Sequence, residues 1–146
     1  TQDRVTAVIG AVHKTLSSIG YGAPRILVSG LNPHAGEGGL FGDEEREIIS
    51  PAIKTSQAKG IAVEGPIPAD LLLHREEYDA FIVMLHDQGH IPAKLLAKHG
   101  TAGAIIGASI LVSSVAHGSA LDIAGQGIAD PAAIIEAVRW ITGGRS

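Results

Sequence analysis

Two histidines, His34 and His86, each follow a short apolar run by only a few residues, Arg25–Ser29 in one case and Ala80–Leu85 in the other. Neutral imidazole is the commonest metal ligand, and a neighbouring carboxylate suits the role of orienting the ring. Asp87 and Asp70 are placed for that role, with Glu37 behind them. Two ligands leave a divalent site incomplete, because catalytic zinc usually takes about three from the protein. The plainer alternative is that each histidine only hydrogen-bonds its own loop.

Two glycine-rich stretches offer other chemistry. Gly36-Glu-Gly-Gly39 could form an anion-binding nest, but it lacks the Lys-Ser/Thr ending of a phosphate loop and is not a GxGxxG. A tight turn holding His34 is the preferred reading. The second stretch runs from His117 to Pro131 and contains Asp122 and Asp130. A carboxylate such as Asp122 can accept both hydrogens of a ribose diol and repels a 2′-phosphate, which favours NAD over NADP. Taken alone, the same residues also fit a Gly-rich turn between a strand and a capped helix. His90 and His99 read as surface groups, and His13 and His74 lack supporting context.

The elements that must position these residues alternate. Val5, Val8, Ile9, Val12 and Leu16 recur at helical spacing over Gln2–Ile19, with Gly20 as a stop. Arg25–Ser29 reads as a buried strand and Gly30–Phe41 as a loop. Asp43 caps a predicted helix over Glu44–Lys59, which Pro51 should kink or bound. A strand over Ile61–Glu64, a helical turn over Ala69–Leu73 and a strand over Ala80–Leu85 follow, the last ending on a loop at His86–His90. Pro92–Lys98 reads as a helix with Pro near its first turn. Two apolar runs, Ala102–Ile106 and Ile110–Ser113, precede a short helix near Ser119–Ala124 and a last helix over Pro131–Ile141, capped by Asp130. This order predicts an α/β fold with a mostly parallel central sheet and flanking helices.

Composition narrows the classes. A chain of 146 residues, 45% hydrophobic and 18% charged, has a globular balance rather than a disordered one. A net charge of −4 and 3% aromatic residues argue against nucleic-acid binding. Cysteine is absent, which excludes disulfides, thiol catalysis and Cys-based zinc. No apolar run approaches the roughly 18 residues of a membrane span, so a cytoplasmic protein without membrane partners is expected. Nineteen glycines, about twice the ordinary ~7% usage, place the interesting chemistry in loops.

The stretch His117-Gly-Ser-Ala-Leu-Asp-Ile-Ala-Gly125 closely resembles the adenosine-binding loop of the isocitrate and isopropylmalate dehydrogenase superfamily. Gly30-Leu-Asn-Pro-His-Ala-Gly-Glu-Gly-Gly39, Gly65-Pro-Ile-Pro-Ala-Asp70 and Leu85-His-Asp-Gln-Gly89 are similar to signature segments of one branch, the 4-hydroxythreonine-4-phosphate dehydrogenase family of vitamin B6 synthesis. The resemblance runs from Arg25 to the C-terminus, with residues 1–22 fitting the preceding helix. It implies an isocitrate/isopropylmalate dehydrogenase-like fold and a homodimeric, NAD(P)-dependent oxidation assisted by a divalent metal (Zn, or Mg, Mn or Co). By resemblance, His34 and His86 match two of three metal histidines drawn from both subunits. Lys94 matches a substrate-contacting lysine, and Asp70 and Asp87 are acidic positions beside the metal. Gly118, Asp122 and Asp130 match the cofactor loop, Asp122 on the ribose and Asp130 near adenine.

The chain also departs from the family pattern. Gly103 and Val112 stand where the family has a phosphate-side Asn and Arg, and losing a bidentate guanidinium should weaken phosphate-ester binding. His86-Asp-Gln-Gly-His-Ile-Pro-Ala-Lys-Leu-Leu96 and Val112-Ser-Ser-Val115 instead resemble relatives that dehydrogenate a terephthalate cis-dihydrodiol. The expected substrate is therefore a non-phosphorylated diol acid, the alternatives being 4-phosphohydroxy-L-threonine or a non-catalytic metal-binding and dimerisation module. The resemblance further implies a C-terminal portion of a longer enzyme. Residues 1–115 would then belong to a metal-binding and dimerisation domain and residues 116–146 to a domain otherwise outside the chain. Such a portion is expected to show little or no turnover alone.

Overall fold

The computed structural model describes residues 1–97, 101–115 and 117–142. They fall into two compact units, Thr1–Gly89 and His90–Ser146.

In the first unit, helix α1 (Gln2–Ser18) starts where the Thr1 hydroxyl accepts from the Arg4 amide, 3.3 Å away. Its apolar stripe buries Ile9 and Leu16. Strand β1 (Ile26–Ser29) is buried at all four residues because it lies in the middle of a parallel sheet. Its neighbours are β2 (Val63–Ile67) and β3 (Ala80–Ile82), in the order β2-β1-β3. Side chains alternate across the sheet as the two-residue period requires. Ile26 and Val28 join Ile9, Ile49, Ile53, Val63 and Ile82 in one core layer, whereas Leu27 packs with Leu72 and Tyr78 in another.

Between β1 and β2 the chain forms a helix in two geometries. A π-helical turn, Glu45–Ile49, runs into α2 (Ser50–Gln57), and α1 packs against both. Pro51 marks the inner boundary, one of its two expected roles: the π-helical turn ends at Ile49 and Pro51 falls in the first turn of α2, where its missing N–H is tolerated. The Asp43 carboxylate, expected to cap this helix, lies 2.8 Å from Arg46 Nη2 instead. Strand β2 runs on through Gly65 and Pro66, past the end at Glu64 that the sequence predicts. Gly65 has φ +121°, and a Cβ there would fall on the Val28 carbonyl oxygen. The β1–β2 register shifts between Leu27 and Ser29 at this approach. A 3-10 segment, Ala69–His74, then returns the chain to β3 on the other side of β1.

Strand β3 is shorter than predicted. β1 and β3 pair only as far as Val28 and Ile82, and beyond that the Gly30 amide turns to the Ile67 carbonyl on β2, 2.7 Å away. The predicted loop at His86–His90 is the start of helix α3 (His86–Ala97), so Pro92 lies inside the helix rather than in its first turn.

In the second unit, β4 (Ala102–Ile105) and β5 (Val112–Val115) form an antiparallel pair, with Ala102 opposite Val115 and Ile105 opposite Val112. Helix α4 (Ala132–Ile141) packs on this pair, and the Asp130 carboxylate accepts from the Ala132 amide at 2.9 Å, as its capping role predicts. Among the described residues of this unit, the buried apolar side chains are Ala133 and Ala137, four apart on one face of α4. The predicted short helix near Ser119 is a 3-10 turn, Leu121–Ile123. Among the described residues no helix is long and apolar enough to cross a membrane.

Candidate functional site

In open α/β sheets, ligands collect beyond the carboxyl ends of strands, at the crevice where strand order reverses. After β1 the chain moves to β2 on one flank, then to β3 on the other. The crevice therefore lies between the ends of β1 and β3. His34 follows β1 by five residues and His86 follows β3 by four, so the fold carries both histidines to this edge of the sheet.

The His34 turn has an unusual backbone. His34, Ala35, Gly36, Glu37 and Gly38 all have positive φ, between 42° and 82°. Non-glycine residues take such angles at a cost, so neighbouring contacts must hold the turn in place. Glu45 anchors the residues that lead into the turn. Its carboxylate, only 5% exposed, accepts from Leu31 N at 2.7 Å, Asn32 N at 2.8 Å and Asn32 Nδ2 at 2.9 Å. Burial works to raise the Glu45 pKa, but the hydrogen bonds from Asn32 and Leu31 outweigh it and the net displacement is downward. Asn32 Nδ2 also donates to Glu44 Oε2 at 2.6 Å, which lowers the Glu44 pKa. Gly36 is buried against the same carboxylate, where a Cβ would come within 2.7 Å of Glu45 Oε2. The Gly36–Gly39 stretch is thus a tight turn around His34, organised by an acidic side chain.

Each histidine is oriented by a carboxylate. His34 Nδ1 lies 2.9 Å from Glu37 Oε2, and its ring meets Phe41 edge to face at 5.7 Å. His86 Nδ1 lies 2.8 Å from Asp87 Oδ1. A carboxylate on Nδ1 fixes the tautomer and the orientation of the ring, as at many metal-binding histidines. Both rings and both carboxylates are solvent-exposed. This chemistry fits a divalent cation, although among the described residues no cluster of three or more His, Asp or Glu is arranged to hold one. The chain offers two imidazole donors and their orienting acids.

The remaining predicted residues are distributed as follows. Asp70 is exposed in the first turn of the 3-10 segment after β2. Lys94 is exposed on the part of α3 that belongs to the second unit. Gly118, Asp122 and Asp130 lie in that unit too, all exposed. His117 Nδ1 is 2.9 Å from the Gly118 carbonyl oxygen, and Gln126 Nε2 donates to the Asp122 carbonyl at 2.7 Å. Gly103, on β4, lines a cavity of about 350 Å³ with Ser113, Glu136 and Trp140. His99, read as a surface group, lies outside the described residues.

Sequence reasoning missed Asn32, Glu45 and Gln88. Gln88 Oε1 accepts from the Met84 and Leu85 amides, both at 2.9 Å, while Nε2 donates to the Gly30 carbonyl at 3.2 Å. The available signal was weak: Asn32 and Gln88 stand inside the motifs around His34 and His86, but Glu45 sits in an acidic run that reads as a solvated first turn.

Known proteins resemble the chain in sequence and in fold. The family pattern described as pyridoxal phosphate biosynthetic protein PdxA matches residues 1–141. A 1,2-dihydroxy-3,5-cyclohexadiene-1,4-dicarboxylate dehydrogenase of Comamonas sp is 48% identical over 134 residues, covering 92% of this chain and 42% of that protein. A D-threonate 4-phosphate dehydrogenase of Cupriavidus necator is 49% identical over 131 residues, covering 87% of this chain and 39% of its own. The crystal structure of 4-hydroxythreonine-4-phosphate dehydrogenase from Klebsiella pneumoniae superposes with a TM-score of 0.85 at 40% identity, over 100% of this chain and 45% of that one. The chain therefore spans about two fifths of the length of these curated relatives. It belongs to the PdxA family of pyridoxal phosphate biosynthetic proteins, with the partial isocitrate/isopropylmalate dehydrogenase-like α/β fold that its motifs imply.

Proposed function

We propose that this chain is part of an NAD(P)-linked, metal-dependent dehydrogenase that oxidises a secondary alcohol of a small hydroxy acid, with loss of carbon dioxide. The observation that carries the reading is the placement of two carboxylate-oriented histidines, His34 and His86, at the carboxyl ends of adjacent strands β1 and β3. A divalent cation bound there would supply Lewis acidity toward the substrate hydroxyl, and NAD(P) would accept the hydride. Glu37 and Asp87 hold the two rings in register. Asp70 contributes negative charge, and Lys94 anchors a substrate carboxylate or moves a proton. Gly118 lets the adenosine approach the backbone, Asp122 takes the ribose hydroxyls, and Asp130 lies near adenine. The third metal ligand comes from a second subunit of a homodimer. The apolar residues exposed on the second unit, Leu121 and Ile134 among them, support a protein in which more polypeptide covers this region.

The preferred substrate is a non-phosphorylated diol acid, such as a cyclohexadiene cis-diol dicarboxylate. Gly103 and Val112 support this reading, since neither side chain can grip a phosphate. The names of two relatives favour a 4-phosphorylated hydroxy acid instead. Steady-state reduction of NAD⁺ and NADP⁺ by the full-length enzyme of which this chain is proposed to be part, in the presence of Mn²⁺ or Zn²⁺ and with the cis-dihydrodiol dicarboxylate, 4-phosphohydroxy-L-threonine and D-threonate 4-phosphate compared, tests both readings. The expected result is the highest kcat/KM for the dihydrodiol with NAD⁺, abolished by chelation. A preference for either phosphate ester overturns the substrate assignment, and metal-independent turnover overturns the metal role.

A further inference from the structure

One side chain links the two histidine-bearing segments. Gln88 lies in the first turn of α3, two residues after His86, and is partly buried. Its amide meets three backbone groups at once: Met84 N–H and Leu85 N–H donate to Oε1, and Nε2 donates to the Gly30 carbonyl. All three partners are backbone atoms of fixed polarity, so the orientation of the amide is chemically determined. Met84 and Leu85 form the turn from β3 into α3, and Gly30 is the first residue after β1. The strands themselves stop pairing at Val28 and Ile82. The Gln88 amide bridges the two chain segments beyond the last ladder pair.

We infer that Gln88 is a positioning residue: its side-chain amide clamps the β1 exit to the β3–α3 turn and thereby sets the spacing of His34 and His86 for a divalent cation. The inference rests on the metal-binding reading above. Its physical basis is that outer partners of a metal site fix ligand geometry, and their loss typically costs 10- to 100-fold in metal affinity. Gln88 needs no contact with the cation to act in this way. Its Oε1 holds the His86 turn, and its Nε2 holds the His34 loop.

The two halves of the clamp can be separated. Gln88→Glu keeps an acceptor for Met84 N–H and Leu85 N–H but cannot donate to Gly30. Gln88→Met keeps the shape and loses both functions. Co²⁺ is the probe, titrated into the purified protein and followed by its d–d absorption and by calorimetry, with His34→Ala and His86→Ala as controls. The expected result is Co²⁺ affinity lowered by about 10-fold or more in both Gln88 variants, with altered d–d bands and an unchanged far-UV spectrum. Wild-type affinity and bands in a folded Gln88→Glu or Gln88→Met protein, alongside loss of binding in the histidine controls, would overturn the clamp and leave the metal reading standing. Unchanged binding in the histidine controls would overturn both. Amide exchange of the wild-type protein keeps the test decisive if the variants do not fold. Coupling between clamp and cation requires Co²⁺ to slow exchange at Met84 and Leu85, and an unchanged rate refutes it.

Discussion

The two units of this chain use apolar residues in opposite ways. In Thr1–Gly89, branched side chains lie between layers: Ile9, Ile26 and Val28 are fully buried, and α1 and α2 close one face of the parallel sheet. In His90–Ser146, the apolar residues of α4 are largely outside: Ile134 is 51% exposed and Val138 50%, with Ala133 and Ala137 facing the β4–β5 pair. Burying an Ile or Leu fully is worth roughly 1.5–3 kcal/mol, whereas an Ala contributes far less. The first unit therefore holds a stable frame on which a strained turn can be tolerated. The second presents hydrophobic surface of the kind that marks a contact with more protein. The oriented histidines belong to the rigid unit, and the residues matched to cofactor binding belong to the loosely packed one.

The largest test of this contrast is Ile26→Ala. It removes a fully buried side chain from the central strand and should cost about 2–5 kcal/mol in urea unfolding. A loss below 1 kcal/mol would mean that the first unit is not the stable frame. Next comes Glu45→Ala, which leaves the Leu31 and Asn32 amides without their acceptor. A loss of about 2–3 kcal/mol is expected. Because the folded pKa of Glu45 lies below its ordinary value of 4.5, its contribution is fully present above that value. As pH falls below 4.5 the unfolded state takes up the proton first, and the contribution disappears as pH falls through the folded value. Wild-type stability should therefore fall more steeply over this acid range than that of Glu45→Gln, as read by denaturant midpoints.

Gly36→Ala should have a smaller effect, about 1–2 kcal/mol. It places a Cβ both at φ +82° and against the Glu45 carboxylate. A thermal midpoint equal to wild type would show that the turn around His34 is looser than its hydrogen bonds indicate. The smallest effect is expected at Ile134→Ser on α4 in this 146-residue chain, within about 0.5 kcal/mol. A cost comparable to Ile26→Ala would erase the contrast, and would mean that α4 is covered in solution.

Much of the frame was legible. The stripe from Val5 to Leu16 marks α1, the apolar run at Arg25–Ser29 marks β1, and Asp130-Pro131 marks the start of α4 within a residue or two. These are local signals, and tertiary packing only reinforces them. The errors lie where long-range contacts override local preference. His86–His90 reads as a loop because Gly89 and Pro92 disfavour helix, yet α3 begins at His86, where the Gln88 amide holds the preceding turn. Gly89 also fits close to Val83, whose Cγ2 would be 3.0 Å from a Cβ.

By itself the sequence determined the alternation of strands and helices, the two histidines that follow strands, the absence of cysteine chemistry and the motifs that place the chain in its family. These depend on residue type and spacing, which are local properties. Only the tertiary structure decided that β1 lies between β2 and β3, so that His34 and His86 leave adjacent strand ends. It also decided that Glu45, Asn32 and Gln88 hold those ends. The buried carboxylate acts through partners 13 and 14 residues away and the bridging amide reaches Gly30, 58 residues away, and no pattern of neighbours in the chain encodes those distances.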